Sequence, residues 1–355
     1  MCSCAHRGPA TVVQDRFDYA TAIADSAKAQ ALLNVVKLRY SDWPVFLEVQ
    51  QVVAGYSWEH LGKVGLLANS PLVAGEDVAE LGYVGRYVER PTISYVPMGG
   101  TEFVKSVLTP ARPDMLLFLV ESGFPVDRLF GIMLDGINGR PNRPGPGLAN
   151  DRSDHDFNRI LRLLRRLQLT NALSLKFSRG AGGQFTVMLG FRSHLLDPET
   201  LGELDAVKRL LGLDPNLDRF EVIYDSLSPD SRIIAMQTRS VLKLMAAIAA
   251  FVDVPQEDLD AGRAARLAVN RPVVSEGEVP RTPNDTTEDA LFSVRIHSGD
   301  TKPEDAFTAV RYADHWFWIE NTDVPTKRVF MYLSFLLSVT KSGEGTGPDL
   351  VITTN

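Results

Sequence analysis

Cysteine is nearly missing from this sequence: of 355 residues only Cys2 and Cys4 carry a thiol. The body therefore has no disulfide framework to lean on. No second Cys or His pair joins the C-x-C pair to complete a four-ligand zinc set. Long apolar runs are missing too. The longest, Leu242 to Val254, is broken by Lys243 and falls short of the roughly 18–20 apolar residues a membrane-spanning helix needs. Positive charge is in deficit, with 37 Lys and Arg against 44 Asp and Glu. A net charge of −7 argues against non-specific nucleic-acid binding, which requires a cationic surplus facing phosphates.

Catalytic signatures are absent as well. There is no G-x-S-x-G elbow and no H-E-x-x-H pair, and the six histidines are scattered singly. No cofactor-binding motif is present. Gly180-Ala181-Gly182-Gly183 is followed by the strand-like Gln184 to Phe191 rather than by Lys-Ser/Thr and a helix, so it reads as a hairpin turn. Carboxylates are too numerous for spacing alone to pick out or dismiss a glycosidase-like pair. The sequence thus leans toward a binding or structural protein rather than an enzyme.

What is present begins at the first residues. Cys2 and Cys4 precede a short polar stretch and are poorly placed to pack in a core, but well placed to carry a lipid, with Cys2 the first choice and Cys4 the alternative. Met1 directly before Cys2 reads as a start set where a signal peptide has been removed. The competing reading is a cytosolic start with two incidental cysteines. Elsewhere 45% apolar and 23% charged residues describe an ordinary globular chain, long enough to bury a large core.

Periodicity predicts an α+β fold: antiparallel hairpins packed with helices, a long N-terminal helix and a flexible tether before it. The tether covers residues 1–16. An N-terminal α+β region runs over 17–138, with a helix from about Asp18 to Tyr40 whose Ile23, Ala24, Ala27, Ala31, Leu32, Val35 and Val36 recur at helical spacing. Strands are expected at Val45 to Tyr56 and Tyr83 to Val96, with a loop from Leu66 to Ala79 between them. Helices are expected at Thr101 to Leu108, Pro113 to Ser122 and Pro125 to Ile137. Residues 139–152 form a Pro/Gly-rich loop.

The C-terminal α+β region, 153–355, joins 17–138 in one body or stands apart. It reads as a helix from Ser153 to Gln168, a hairpin of Leu173 to Phe177 with Phe185 to Phe191, and a helix from Pro198 to Leu211. A second hairpin of Phe220 to Tyr224 with Arg232 to Met236 and an apolar helix from Val241 to Phe251 follow. After a polar loop at 262–289 come a strand at Leu291 to His297, a hairpin of Phe307 to Tyr312 with Trp316 to Ile319, a helix from Thr326 to Thr340 and a last strand at Leu350 to Thr353.

Two side-chain patterns suggest contact surfaces. Arg159, Arg162, Arg165 and Arg166 lie on a helix whose opposite face carries Phe157, Ile160, Leu161, Leu164 and Leu167. Arg162 and Arg166 share a side, which makes Arg159, Arg162 and Arg166 an anion or partner surface, or else a solvated face. Asp154, His155 and Asp156 at the same helix's start suit its dipole. Trp316 and Trp318 share one face of a strand; exposed they would contact a partner or a sugar ring, buried they would pack under the last helix.

Three segments carry a family likeness. They are Ala31-Leu32-Leu33-Asn34-Val35-Val36-Lys37-Leu38-Arg39-Tyr40 leading into Pro44-Val45-Phe46-Leu47-Glu48-Val49, then Arg90-Pro91-Thr92-Ile93-Ser94-Tyr95-Val96-Pro97, and Phe307-Thr308-Ala309-Val310-Arg311-Tyr312 with His315-Trp316-Phe317. Together they resemble a family of uncharacterised Gram-negative envelope lipoproteins. The resemblance implies acylation of Cys2 and, with Ser3 next to it, an outer-membrane anchor facing the periplasm. Its expected partners are the membrane, through the lipid, and other envelope proteins, with a homo-oligomer open. The expected role is structural or interaction-based; the alternative is a periplasmic glycan- or lipid-binding protein or hydrolase.

Overall fold

The structure, a computed structural model, describes residues 8–53, 56–66, 79–89, 92–142, 155–179, 185–267 and 294–341. The chain divides into two compact units, residues 45–98 and the remainder. Cys2 and Cys4, the expected turn at 180–183, most of the expected loop at 262–289, residues 291–293 of the next expected strand, the expected strand at 350–353 and the expected loop at Leu66 to Ala79, apart from its two ends, lie outside the described residues.

The first helix, α1 (Gly8–Arg39), is longer than its expected start at Asp18, so most of the expected tether is helical. Its buried positions among the described side chains lie in its second half. Leu32, Val35 and Val36 are fully buried, whereas Ile23, Ala24 and Ala27 face solvent despite their helical spacing. The interval from Arg16 to Ala27 is exposed except for half-buried Tyr19 and spans about 18 Å at 1.5 Å per residue. The helix ends because Ser41 takes a left-handed φ of 60° and Asp42 N–H returns to the Lys37 carbonyl, ahead of Pro44.

The smaller unit holds β1 (Leu47–Val53), β2 (Tyr56–Leu66), β3 (Ala79–Glu89) and β4 (Thr92–Pro97). β1 pairs with β4 and β2 with β3, each antiparallel, as two two-stranded ribbons. The expected strand at Tyr83 to Val96 thus covers parts of both β3 and β4, and β2 corresponds to no expected strand beyond Tyr56.

The larger unit resumes with α2 (Gly100–Phe103), which runs into a π-helical turn at Val104–Leu108. Next come α3 (Pro113–Glu121) with proline at its start, α4 (Val126–Met133), β5 (Leu134–Ile137) and β6 (Arg140–Pro141). The helix expected to reach Ile137 thus stops four residues early. Leu134 to Ile137 becomes a strand because it pairs on both sides within a sheet.

The chain continues as α5 (His155–Leu169), β7 (Leu173–Arg179), β8 (Phe185–Phe191), α6 (Pro198–Leu211), β9 (Arg219–Ile223) and β10 (Ile233–Thr238). α6 has the expected bounds and is capped at both ends: Asp197 accepts from the N–H groups of Glu199 and Thr200, and Gly212 closes the helix at φ 68°. The six-stranded sheet has the order β6-β5-β10-β9-β8-β7. β9 and β10 are parallel neighbours, which corrects the expected hairpin. Turns built on Asp225, Ser228 and Asp230 carry the chain back, so β10 re-enters from the same end as β9. The five apolar positions of α5 are all buried, packed with α4 and α6.

The last elements are α7 (Val241–Ala249), α8 (Gln256–Asp260), β11 (His297–Gly299), β12 (Ala306–Tyr312), β13 (His315–Glu320) and α9 (Val324–Lys341). The three strands form a second sheet, β11-β13-β12. α1 packs against α7, α9 and β12, joining the front of the body to its end. Among the described residues of the strand expected at Leu291 to His297, Val294 and Arg295 are not in a strand and β11 begins at His297, while Val294 and Ile296 are buried.

One charged side chain is embedded in this framework. Arg239 is 2% exposed; its guanidinium meets Asp135 at 2.8 Å and the Ile132 carbonyl at 2.5 Å, binding β10's end to α4 and β5. Replacing it by Met strips the buried half of a pair that Lys243 only partly retains. Arg239→Met is expected to cost about 3 kcal/mol by urea unfolding. In the β12–β13 turn, Ala313 and Asp314 both take positive φ, 46° and 67°. Ala313→Asn should stabilise by about 0.5–1 kcal/mol, because asparagine tolerates that region where alanine is strained.

Candidate functional site

Two places concentrate unusual side chains. The first is the β1–β4 ribbon. Its register sets Leu47 opposite Pro97, Val49 opposite Tyr95 and Val52 opposite Ile93, so one face is apolar along its length. A bulge between Val49 and Gln51 adds the residue that keeps Val52 on that face; without it the alternation would turn Val52 away. The other face mixes Glu48 with Val96 and Gln51 with Ser94. All six residues of β4 are exposed, and Tyr95 and Leu47 are 54% and 46% exposed. A two-stranded ribbon is marginally stable alone, and an apolar face open to water adds to that cost.

The second is a polar network in the body, centred on Asp258 of α8 and His315 of β13. Asp258 is completely buried, accepts a hydrogen bond from Tyr40 Oη at 2.5 Å and pairs with Arg263 at 2.5 Å. His315 is buried with Nε2 2.7 Å from Glu257 and Nδ1 3.2 Å from Asp300. The neighbouring contacts are Arg39 to the Ala265 carbonyl at 2.7 Å and Tyr312 to Asp42 at 3.1 Å. Tyr40 also packs edge-on against Tyr312 and Phe317.

Glu257, Asp258 and His315 each offer a ligand atom within 4.8 Å of the others, the kind of set that holds a divalent cation. The chemistry of their surroundings disfavours that use. The Arg263 guanidinium already sits on the Asp258 carboxylate, and a cation there would meet like charge. Burial alone would raise the Asp258 carboxyl, but the hydrogen bonds from Tyr40 and Arg263 outweigh it and hold the pKa below the ordinary range. Burial, then the bond to Asp258, pushes the Tyr40 phenol up, so it remains a donor. The arrangement is a clamp between the end of α1, α8 and the second sheet.

The sequence-chosen residues fall elsewhere. Arg159, Arg162 and Arg166 are exposed on α5, and Arg166 pairs with Glu199 and Glu203 of α6. Asp156 pairs with Arg140 at 3.1 Å. Trp316 and Trp318 are half-buried, on the opposite side of β13 from buried His315, Phe317 and Ile319. His297 stacks on Trp318 at 5.5 Å and Lys302 lies over Trp316 at 5.6 Å. The Asp258 network was not found from sequence, since Tyr40, Asp258 and His315 lie far apart in the chain and no motif joins them.

Asp258→Asn keeps the shape but loses the charge that Arg263 requires. It is expected to cost about 2–3 kcal/mol at pH 7. Because the folded carboxyl titrates below its unfolded counterpart, its contribution is complete above the unfolded value of about 4 and fades as pH falls through the folded one. Unfolding curves of the two proteins should therefore converge on acidification below about pH 4.

The chain matches no family model, and no curated protein or solved structure is similar to it. The likeness to envelope lipoproteins therefore rests on its three quoted segments alone.

Proposed function

We propose that this protein is an envelope-tethered interaction component, acylated at Cys2 (or Cys4) and engaging envelope proteins through the β1–β4 ribbon. The observation that carries the reading is the ribbon's open apolar face of Leu47, Val49, Val52, Ile93, Tyr95 and Pro97. Covering such a face with a partner's apolar surface removes the exposure that costs the isolated ribbon stability.

Tethering draws separate support. The N-terminal cysteines precede a helix whose solvent-exposed stretch would hold the body off a surface. No described helix is long and apolar enough to cross a membrane, so membrane attachment on this reading falls to the lipid. The glycan- or lipid-binding alternative drew on Trp316 and Trp318, whose rings are partly occupied by His297 and Lys302.

Mass spectrometry of the protein isolated from its source should show a diacylglycerol-modified cysteine at the mature N-terminus. An unmodified terminus would sink the anchor. For the interaction, a photoreactive residue at Tyr95 should give a discrete protein adduct in the native envelope that disappears when Ile93→Asp is added. The same probe at exposed Arg232 should give none. Equal labelling from both positions would remove the ribbon from consideration.

A further inference from the structure

The turn that joins α3 to α4 closes one side of a cavity of about 290 Å³. Gly123 takes φ 98° there, a conformation reserved in practice for glycine. Gln168 of α5 holds the turn from behind. Its amide donates to the Val120 and Phe124 carbonyls at 3.2 and 2.8 Å, and its carbonyl accepts from Val126 N–H at 3.0 Å. The rim is therefore built by hydrogen bonds rather than by loop packing alone.

α9 supplies the opposite wall with Arg328, Met331 and Tyr332, which fall on one helix face at i, i+3 and i+4. α4 contributes Arg128. Neither Arg128 nor Arg328 has a carboxylate partner among the described residues, unlike Arg166, Arg239 and Arg263. Tyr332 is 2% exposed, lines the cavity, and its hydroxyl has no hydrogen-bond partner among the described residues. Burial raises this phenol, while both arginines act on it in the other direction, so all three groups face a shared space. Asp127 also acts on the phenol, but Arg165 Nε stands 3.8 Å from its Oδ1, so cations outnumber carboxylates around the cavity.

We propose that this cavity binds a phosphate monoester carrying an apolar group. Two guanidiniums balance the two charges of the ester, and the Tyr332 hydroxyl supplies a donor for a third terminal oxygen. A carboxylate would offer one charge and two oxygens to the same three groups. Phe124, Pro125 and Met331 line the cavity beside them and give the apolar substituent an apolar wall. The ester can come from a soluble metabolite or from a lipid headgroup. The site is separate from the ribbon and does not rest on that reading.

The test is calorimetric titration of the full chain with phenyl phosphate, with benzoate as the carboxylate of the same ring. Saturable one-site binding is expected, with benzoate weaker by about tenfold. Arg328→Gln and Arg128→Gln should each weaken phenyl phosphate by about tenfold or more, and Tyr332→Phe by a few-fold. Arg159→Gln, on exposed α5, should leave it unchanged, and unchanged melting temperatures will show that the variants fold. Absence of saturation at about 10 mM, equal affinity for benzoate, or indifference to both arginine substitutions would overturn the proposal. Vesicles of phosphatidylcholine with phosphatidic acid separate the sources. Sedimentation with them that phenyl phosphate competes away assigns the site to a lipid headgroup, and soluble binding without sedimentation assigns it to a metabolite.

Discussion

The body depends on how α1 ends. The buried residues of this long helix lie in its second half, where Leu32, Val35 and Val36 are in the core and the helix packs against α7, α9 and β12. Immediately beyond, Tyr40 reaches the buried carboxylate of Asp258, Arg39 reaches the Ala265 carbonyl and Asp42 meets Tyr312. These contacts join residues separated by more than two hundred positions, so the loop-closure entropy lost in bringing front and end together must be recovered here. A buried carboxylate held by a phenol and a guanidinium suits the task because it is directional. Any slip of α1 along its axis would leave Asp258 buried and short of a partner, which costs more than the bonds themselves contribute.

That clamp explains why a cation-like constellation need not be a metal centre. Glu257, Asp258 and His315 are close enough to share an ion, yet each is engaged in the closure of the fold. His315 bridges Glu257 and Asp300 with its two nitrogens, and Arg263 neutralises Asp258. The Asp258 carboxylate already has its cation in Arg263, and the geometry serves to fix β13 against α8.

Much of the fold was legible because local rules and tertiary packing agree. Asp197, Pro198 and Gly212 mark both ends of α6, and alternation with a two-residue turn marks β12 and β13. Reading failed where a neighbour decides the outcome. Leu134 to Ile137 has helical neighbours but pairs with β10 on one side and β6 on the other. The β9–β10 pair is parallel because of where β5 lies, which no local pattern records. Ile23, Ala24 and Ala27 have the spacing of a buried face, but helical spacing does not supply a surface to bury against. The candidate sites were less legible still. The tryptophan and arginine patterns were visible as patterns, whereas the Asp258 network and the Arg128–Arg328 pair are assembled by the fold from distant segments.

Charge gives the last distinction. The chain has more carboxylates than cations, so an arginine at its surface is expected to find an acidic neighbour. Arg166 does so across α5 and α6, so one member of an arginine row conspicuous in the sequence joins two helices. Arg128 and Arg328 are inconspicuous in sequence, two hundred residues apart, and face a cavity in which no carboxylate pairs with them among the described residues. An anion that binds there pairs with the two guanidiniums, and by linkage it stabilises the fold by an amount that grows with the logarithm of one plus the ratio of its concentration to its dissociation constant. A purely structural packing of α4 against α9 has no need of that arrangement, because apolar side chains at the same two positions would bring the helices together without it.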